Sequence, residues 1–328
     1  LATRAGVPAG VFSILTGSAT EIGGEMTANP IVRKVTFTGS TEIGKKLMVQ
    51  CAGTLKKLSL ELGGNAPFIV FDDADLDLAV QGAIASKYRN TGQTCVCANR
   101  LLVQDGIYDA FAVKLAARVK ALRVGGGLEE GVVQGPLIDA QALAKVEEHV
   151  ADALAKGAKV LAGGTIEKHG GEWLRPTVLV DVTHDMQVMT DETFGPLMPV
   201  MAFDTIDDAI RLANDSSFGL SAAVMAGSME EAEAIGRQIE VGAVSLNDCS
   251  LTTVMHEAEK NSFKLSGLGG SRMGATGYLR FLRTKALLRQ SGAPATVAVL
   301  AEENAPRYGQ DGAVMPVAPL GRGGRVSS

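Results

Sequence analysis

Cys95 lies in the run Asn90-Thr91-Gly92-Gln93-Thr94-Cys95-Val96-Cys97, a polar stretch containing glycine and side-chain amides. A thiol in such a loop can be presented to a substrate as a nucleophile, although a cysteine is as often an inert, buried packing residue. Zinc would need further ligands at regular spacing. Cys51 and Cys249 stand alone, and His149, His169, His184 and His256 are scattered, so no metal is expected. Glu61 ends an apolar run just before Gly63-Gly64. It is either a solvated strand end or a general base that water can reach, with the glycines leaving space beside it. Gly39-Ser40-Thr41-Glu42-Ile43-Gly44 sits between a strand pattern and a helix pattern. Three readings stay open there: a plain turn, a dinucleotide pyrophosphate on a helix N-terminus, or a nucleotide triphosphate. The triphosphate loop needs Ser or Thr after Gly44-Lys45, and Lys46 occupies that place. In Asp191-Glu192-Thr193-Phe194-Gly195-Pro196 the Gly-Pro pair makes turn chemistry sufficient. Alternatively, Glu192 grips a ribose hydroxyl while Phe194 packs on a ring cofactor. No histidine has a context that suggests a Ser-His-Asp set.

These residues must be positioned by alternating strands and helices. Short β-branched runs separated by amphipathic stretches predict a layered α/β protein. Strands are expected at Val11–Leu15, Val35–Thr38, Lys57–Leu62, Phe68–Phe71, Arg100–Val103, Thr177–Val180, Met198–Phe203, Ser221–Met225 and Ala243–Leu246. Helices are expected at Thr20–Met26, Glu42–Gln50, Leu76–Arg89, Tyr108–Leu122, Gln141–Lys156, Ile206–Asn214 and Met229–Gln238. The rhythm restarts after Gly63-Gly64, which suggests a domain boundary there.

In 328 residues, 31 Lys+Arg against 36 Asp+Glu give a net charge of −5, which argues against a nucleic-acid partner. No run approaches the ~20 apolar residues of a membrane-spanning helix, so no membrane partner is expected. Four cysteines are too few for a disulfide scaffold and favour a reducing, cytoplasmic compartment. The chain opens without Met, in mid-pattern, and a true start further upstream is expected. From about Ser291 it turns Ala/Pro/Gly-rich, and a disordered tail is expected over 291–328.

Phe37 to Gly44, Leu60-Glu61-Leu62-Gly63-Gly64-Asn65, Gly92-Gln93-Thr94-Cys95 and Glu192-Thr193-Phe194-Gly195-Pro196, in this order, resemble the aldehyde dehydrogenase superfamily over about residues 1–290. Lys87 to Arg100 looks like its succinate-semialdehyde branch. The resemblance implies an α/β fold in which 1–62 is the end of a Rossmann-type NAD(P)-binding domain. Residues 63–249 would form a complete catalytic domain, and 250–290 would return to the cofactor domain and an oligomerisation segment. It further implies NAD or NADP as cofactor, an aldehyde as substrate and a homo-oligomer. By the same resemblance Cys95 would be the nucleophile and Glu61 the base for hydrolysis. Gly39, Ser40, Thr41, Glu42, Ile43, Gly44 and Leu62 would lie against the cofactor, with Glu192 on the nicotinamide ribose and Phe194 beside the ring. Arg89 would pair with a carboxylate at the far end of the substrate, as a bidentate guanidinium suits. Thr253 would add a hydroxyl. Cys97 either packs or forms a reversible disulfide with Cys95.

Two departures stand out. The family's oxyanion Asn and adenine-ribose Lys have no counterpart in this sequence, so the chain is expected to be inactive alone. The family's usual Pro-Phe-Gly-Gly element before Ser-Gly is missing from Glu257 to Gly267, where only Ser266-Gly267-Leu268-Gly269 is kept. Another aldehyde, a coenzyme-A-acylating enzyme or a non-catalytic assembly module remain the alternatives to succinate semialdehyde.

Overall fold

A computed structural model describes residues 1–167, 173–249, 255–270 and 273–289. The expected tail and Thr253 lie outside the described residues.

The chain opens with α1 (Ala19–Ala28), β1 (Lys34–Thr38), α2 (Thr41–Ala52) and β2 (Lys57–Glu61). Next come β3 (Ala66–Val70), α3 (Leu76–Lys87), β4 (Ala98–Gln104), α4 (Asp105–Lys120) and α5 (Ala140–Ala155). They are followed by β5 (Lys159–Ala162), β6 (Ile166–Glu167), β7 (Trp173–Leu174), β8 (Thr177–Val180), α6 (Gln187–Thr190) and β9 (Leu197–Phe203). The remainder is α7 (Ile206–Asn214), β10 (Phe218–Gly219), β11 (Ala222–Met225), α8 (Met229–Gly236), β12 (Val244–Leu246), β13 (Phe263–Lys264), β14 (Gly267–Leu268) and α9 (Gly274–Leu279). Short polar side chains set several helix starts. Ser40 accepts from the Ile43 N–H ahead of α2, and Asp75 from the Leu78 N–H ahead of α3, each satisfying an otherwise orphaned donor.

The strands form two principal sheets. One runs β1-β2-β14, with β1 parallel and β14 antiparallel to β2. The other, seven-stranded, runs β12-β11-β3-β4-β9-β8-β5 and is parallel except for β5 against β8. Helices pack on both of its faces, so its central strands are apolar throughout rather than alternating. Phe68, Ile69, Val70, Leu101, Leu102 and Val103 are wholly buried. β2 and β3 belong to different sheets, and the chain crosses between them through Leu62 to Asn65. Residues 1–282 form one compact unit, and residues 283–289 carry no helix or strand. Among the described residues no helix is long and apolar enough to cross a membrane.

The strand expected at Val11–Leu15 is not formed. Val11, Phe12, Ile14 and Leu15 are 65% to 78% exposed, and no described strand pairs with them. β-propensity is realised only where a neighbouring strand takes the backbone hydrogen bonds. The short strands β5, β6, β7, β10, β13 and β14 and the helices α6 and α9 do not follow from the sequence pattern.

Candidate active site

Glu61 is carried to the site by the first sheet. It pairs with Thr38 on β1 and Gly267 on β14. Its carbonyl accepts from the Gly39 N–H (3.1 Å), and the next amide, that of Leu62, donates to Ser266 O (2.8 Å). Gly267 is required for this pairing. Its φ is +147°, and a Cβ there would stand 2.0 Å from Leu60 O.

Cys95 is carried by the second sheet, on the loop entering β4. That loop is backbone-strained: Asn90 (φ 50°), Thr91 (φ 56°) and Gly92 (φ 74°) are consecutive left-handed residues. Neighbouring segments hold it there. Thr91 Oγ1 accepts from Gly135 N (3.1 Å) and donates to Gly135 O (3.2 Å), and Gln93 Oε1 accepts from Ile138 N (2.8 Å). Gln134 Nε2 donates to Tyr88 O (2.6 Å), and the Tyr88 hydroxyl to Thr177 O (3.0 Å). Gly92 packs so closely on the Gly195 carbonyl that a Cβ would lie 2.1 Å from its oxygen. A turn closed by Cys97 N donating to Thr94 O (3.0 Å) then presents half-buried Cys95. Its sulfur lies 3.8 Å from Glu61 Oε1. A thiol and a carboxylate from different sheets thus face one another, an arrangement able to perform nucleophilic addition and then hydrolysis.

The Gly63-Gly64 crossing lies between this pair and Glu192. Gly64 N donates to Glu192 Oε1 (3.0 Å), and a Cβ on Gly63 would lie 2.8 Å from Oε2 of the same carboxylate. Burial pushes the Glu192 carboxyl up, while the Gly64 amide, Lys145 and Lys87 work against that shift. Phe194 is held at φ 52° with its ring partly exposed.

The Gly39–Gly44 run begins α2 as expected, but its glycines have packing reasons of their own. A Cβ on Gly44 would stand 2.5 Å from the buried Leu62 side chain, and one on Gly39 would strike the Phe37 ring. Ser40 caps the helix, Thr41 Oγ1 donates to Leu265 O (3.2 Å), Glu42 pairs with Lys46 (2.6 Å) and Ile43 is partly exposed. Arg89 is half-buried, and among the described residues no hydrogen bond or ion pair takes its guanidinium. Cys97 is wholly buried, with its thiol on Lys87 O (3.7 Å), so at rest it faces Lys87 while Cys95 faces Glu61. All four cysteines are free, and no group of three or more His, Cys, Asp or Glu among the described residues could hold a metal.

Residues 1–287 match the description "Aldehyde dehydrogenase family". The chain belongs to this family. It is 58% identical over 281 residues to the glutarate-semialdehyde dehydrogenase of Pseudomonas aeruginosa, covering 85% of this chain and 58% of that protein. With the NADP(+) succinate-semialdehyde dehydrogenase of Escherichia coli it shares 56% over the same coverage. With the 3-sulfolactaldehyde dehydrogenase of Pseudomonas putida it shares 55%, covering 85% of this chain and 57% of that protein. Among solved structures, an E. coli NADP-dependent enzyme superposes with a TM-score of 0.82 at 54% identity, covering 86% of this chain and 58% of that one. This member of the family therefore spans about 58% of the length of the relatives it matches.

Sequence reasoning passed over Lys87, Asn99 and Lys145. Lys87 and Asn99 are wholly or almost wholly buried, and the one local signal for Lys87 is that it is the only Lys of its helix and stands in the last turn beside apolar residues. Lys145 donates to the Glu192 carbonyl, a contact between distant segments that carries no local pattern.

Proposed function

We propose that this chain carries the catalytic thiol and hydrolytic base of an NAD(P)-dependent dehydrogenase that oxidises an aldehyde bearing a distal anionic group to its acid. The observation that supports it is Cys95 Sγ at 3.8 Å from Glu61 Oε1, beside a carboxylate held on Gly64. The substrate class rests on Arg89, a half-buried guanidinium with no partner among the described residues, six positions before the thiol. Succinate semialdehyde is the favoured substrate. Glutarate semialdehyde and 3-sulfolactaldehyde, in the names of relatives, likewise carry an anion away from the aldehyde.

The donor set suits a nicotinamide dinucleotide. The α2 N-terminus with Ser40 and Thr41 favours a pyrophosphate, Glu192 offers a carboxylate to a ribose, and Phe194 offers a ring. When bound, this cofactor supplies the hydride acceptor. The Cys95 thiol gives its proton to solvent as its sulfur adds to the aldehyde carbon, a C–S bond replaces the carbonyl π bond, and the resulting oxyanion takes a hydrogen bond from the Cys95 amide. After hydride loss the carbon is held on Cys95 as a thioester. Glu61 takes a proton from water as its oxygen attacks that carbon. The C–S bond breaks, the acid leaves, and the sulfur takes the proton held on Glu61, which restores both the thiol and the base. The presence of Glu61 at the sulfur favours this hydrolysis over acyl transfer to coenzyme A.

A homo-oligomer in the cytoplasm completes the proposal, and four free cysteines support a reducing compartment. An activated nitrophenyl ester tests the core without cofactor, because acylation and hydrolysis need only Cys95 and Glu61. Release of nitrophenol should vanish in Cys95→Ala. In Glu61→Gln it should proceed as a single burst, with an acyl group on Cys95 seen by mass spectrometry and turnover down by roughly 10²–10⁴. Unchanged steady-state release in Glu61→Gln would remove the hydrolytic assignment.

A further inference from the structure

Lys87 is an unusual resident of this site. It is wholly buried at the end of α3, two positions before Arg89, and the reaction above makes no use of it. Its Nζ donates to Asn99 Oδ1 at 2.6 Å. That bond decides which way the Asn99 amide faces, because an ammonium can only donate and so requires the oxygen. The nitrogen is then turned the other way, and Asn99 Nδ2 donates to Gly64 O at 3.2 Å. Gly64 is the residue whose amide holds Glu192 Oε1 at 3.0 Å, and whose α-carbon lies against the Cys95 carbonyl so closely that a Cβ would be 2.2 Å from the oxygen.

We propose that Lys87 is a positioning residue of this active site: its ammonium orients Asn99, Asn99 fixes the Gly64 carbonyl, and Gly64 places both the Glu192 carboxylate and the main chain of Cys95. This rests on the proposed roles of Cys95 and Glu192. An isolated buried cation is costly and persists only with compensation. Burial pushes the Lys87 ammonium down to about 8, whereas Cys97 and Glu192 pull it the other way. Lys87 also acts on the thiol loop through its own carbonyl, which accepts from Cys97. A lysine serving only to fill the core would be replaceable by an apolar side chain of the same length without consequence at the thiol.

The test is the rate at which iodoacetamide alkylates Cys95, read by mass spectrometry alongside the melting temperature. The variants are Lys87→Met, Asn99→Leu, their double and Asn99→Asp. Asn99→Asp keeps an acceptor for Lys87 and removes the donor to Gly64, so it tests the link even if Lys87→Met does not fold. Each single variant should change the Cys95 rate about tenfold, in the range expected for a displacement of well under 1 Å. The double should match the singles rather than multiply them. A rate within about twofold of the parent in folded Lys87→Met or Asn99→Asp, whatever the melting temperature does, would overturn the proposal. So would multiplying effects in the double. Failure of the underlying assignment looks different, since parental Cys95 would then react no faster than half-buried Cys249.

Discussion

Gly64 and Cys95 meet backbone to backbone. The α-carbon of Gly64 faces the Cys95 carbonyl at a separation that leaves no room for a methyl group, since a Cβ would sit 2.2 Å from the oxygen and 3.4 Å from the carbon. This contact joins the crossing between the two sheets to the thiol loop, and the same glycine takes Glu192 on its amide. Its φ is not in the left-handed region, so space alone explains the glycine.

Gly64→Ala therefore isolates the close approach from any backbone strain. Because the obstacle is a main-chain carbonyl rather than a side-chain tip, the loop must move, at a cost of about 1–3 kcal/mol. Melting by calorimetry should fall by roughly 2–10 °C. Nitrophenyl ester hydrolysis should fall further, by about tenfold or more, because the displaced atom is next to the nucleophile.

Arg89→Ala removes the cation proposed to take the distal anion. For a charge-assisted hydrogen bond worth about 1.5–3 kcal/mol, the Michaelis constant of the dehydrogenase for succinate semialdehyde should rise roughly 10- to 150-fold. An uncharged aldehyde of equal length should be unaffected. An equal loss on both would show that Arg89 shapes the loop rather than the specificity.

Much of this site could be read from the sequence because its residues occur in short contiguous runs with turn glycines. The alternation of leucines over Lys57–Leu62 predicts a strand, which forms over Lys57–Glu61, and the apolar spacing of Ile206–Asn214 matches the observed helix to the residue. What was not legible is long-range. The 3.8 Å approach of Cys95 to Glu61 needs two sheets to be juxtaposed, and the two-residue strand β14 has no periodicity to detect. The apolar run Val11–Leu15 misled for the opposite reason, having strand composition but no described partner. A Cβ on Gly39 or Gly44 would meet the Phe37 ring or the Leu62 side chain, so packing gives these glycines a use that the strand–helix pattern alone does not reveal.

Cys97 must leave its contact with the Lys87 carbonyl before it can reach Cys95, because it is wholly buried there. Peroxide should therefore oxidise Cys95 to the sulfenic acid first, as the more exposed thiol, and the Cys95–Cys97 disulfide should follow with loss of water. Mass spectrometry with and without a sulfenic-acid trap separates the two stages. Persistent sulfenic acid at Cys95 with no link, after prolonged oxidation, would eliminate the redox switch and leave Cys97 as a packing residue.

Lys87 also leaves a signature in stability. Its folded-state pKa is depressed to about 8 from 10.5, with burial the largest cause and Cys97 and Glu192 opposing it. A depressed pKa means that the unfolded chain binds the proton more tightly, so this residue's contribution rises with pH through the window from about 8 to 10.5 and is lost as pH falls through 8. The shift corresponds to about 3 kcal/mol across that window. Lys87→Met lacks the titration altogether. Denaturant midpoints of the two proteins, measured from pH 7 to pH 11, should therefore differ most in favour of Lys87→Met near neutrality, and the gap should close on the alkaline side. Parallel curves would mean that the ammonium is not held in the buried position where it meets Asn99.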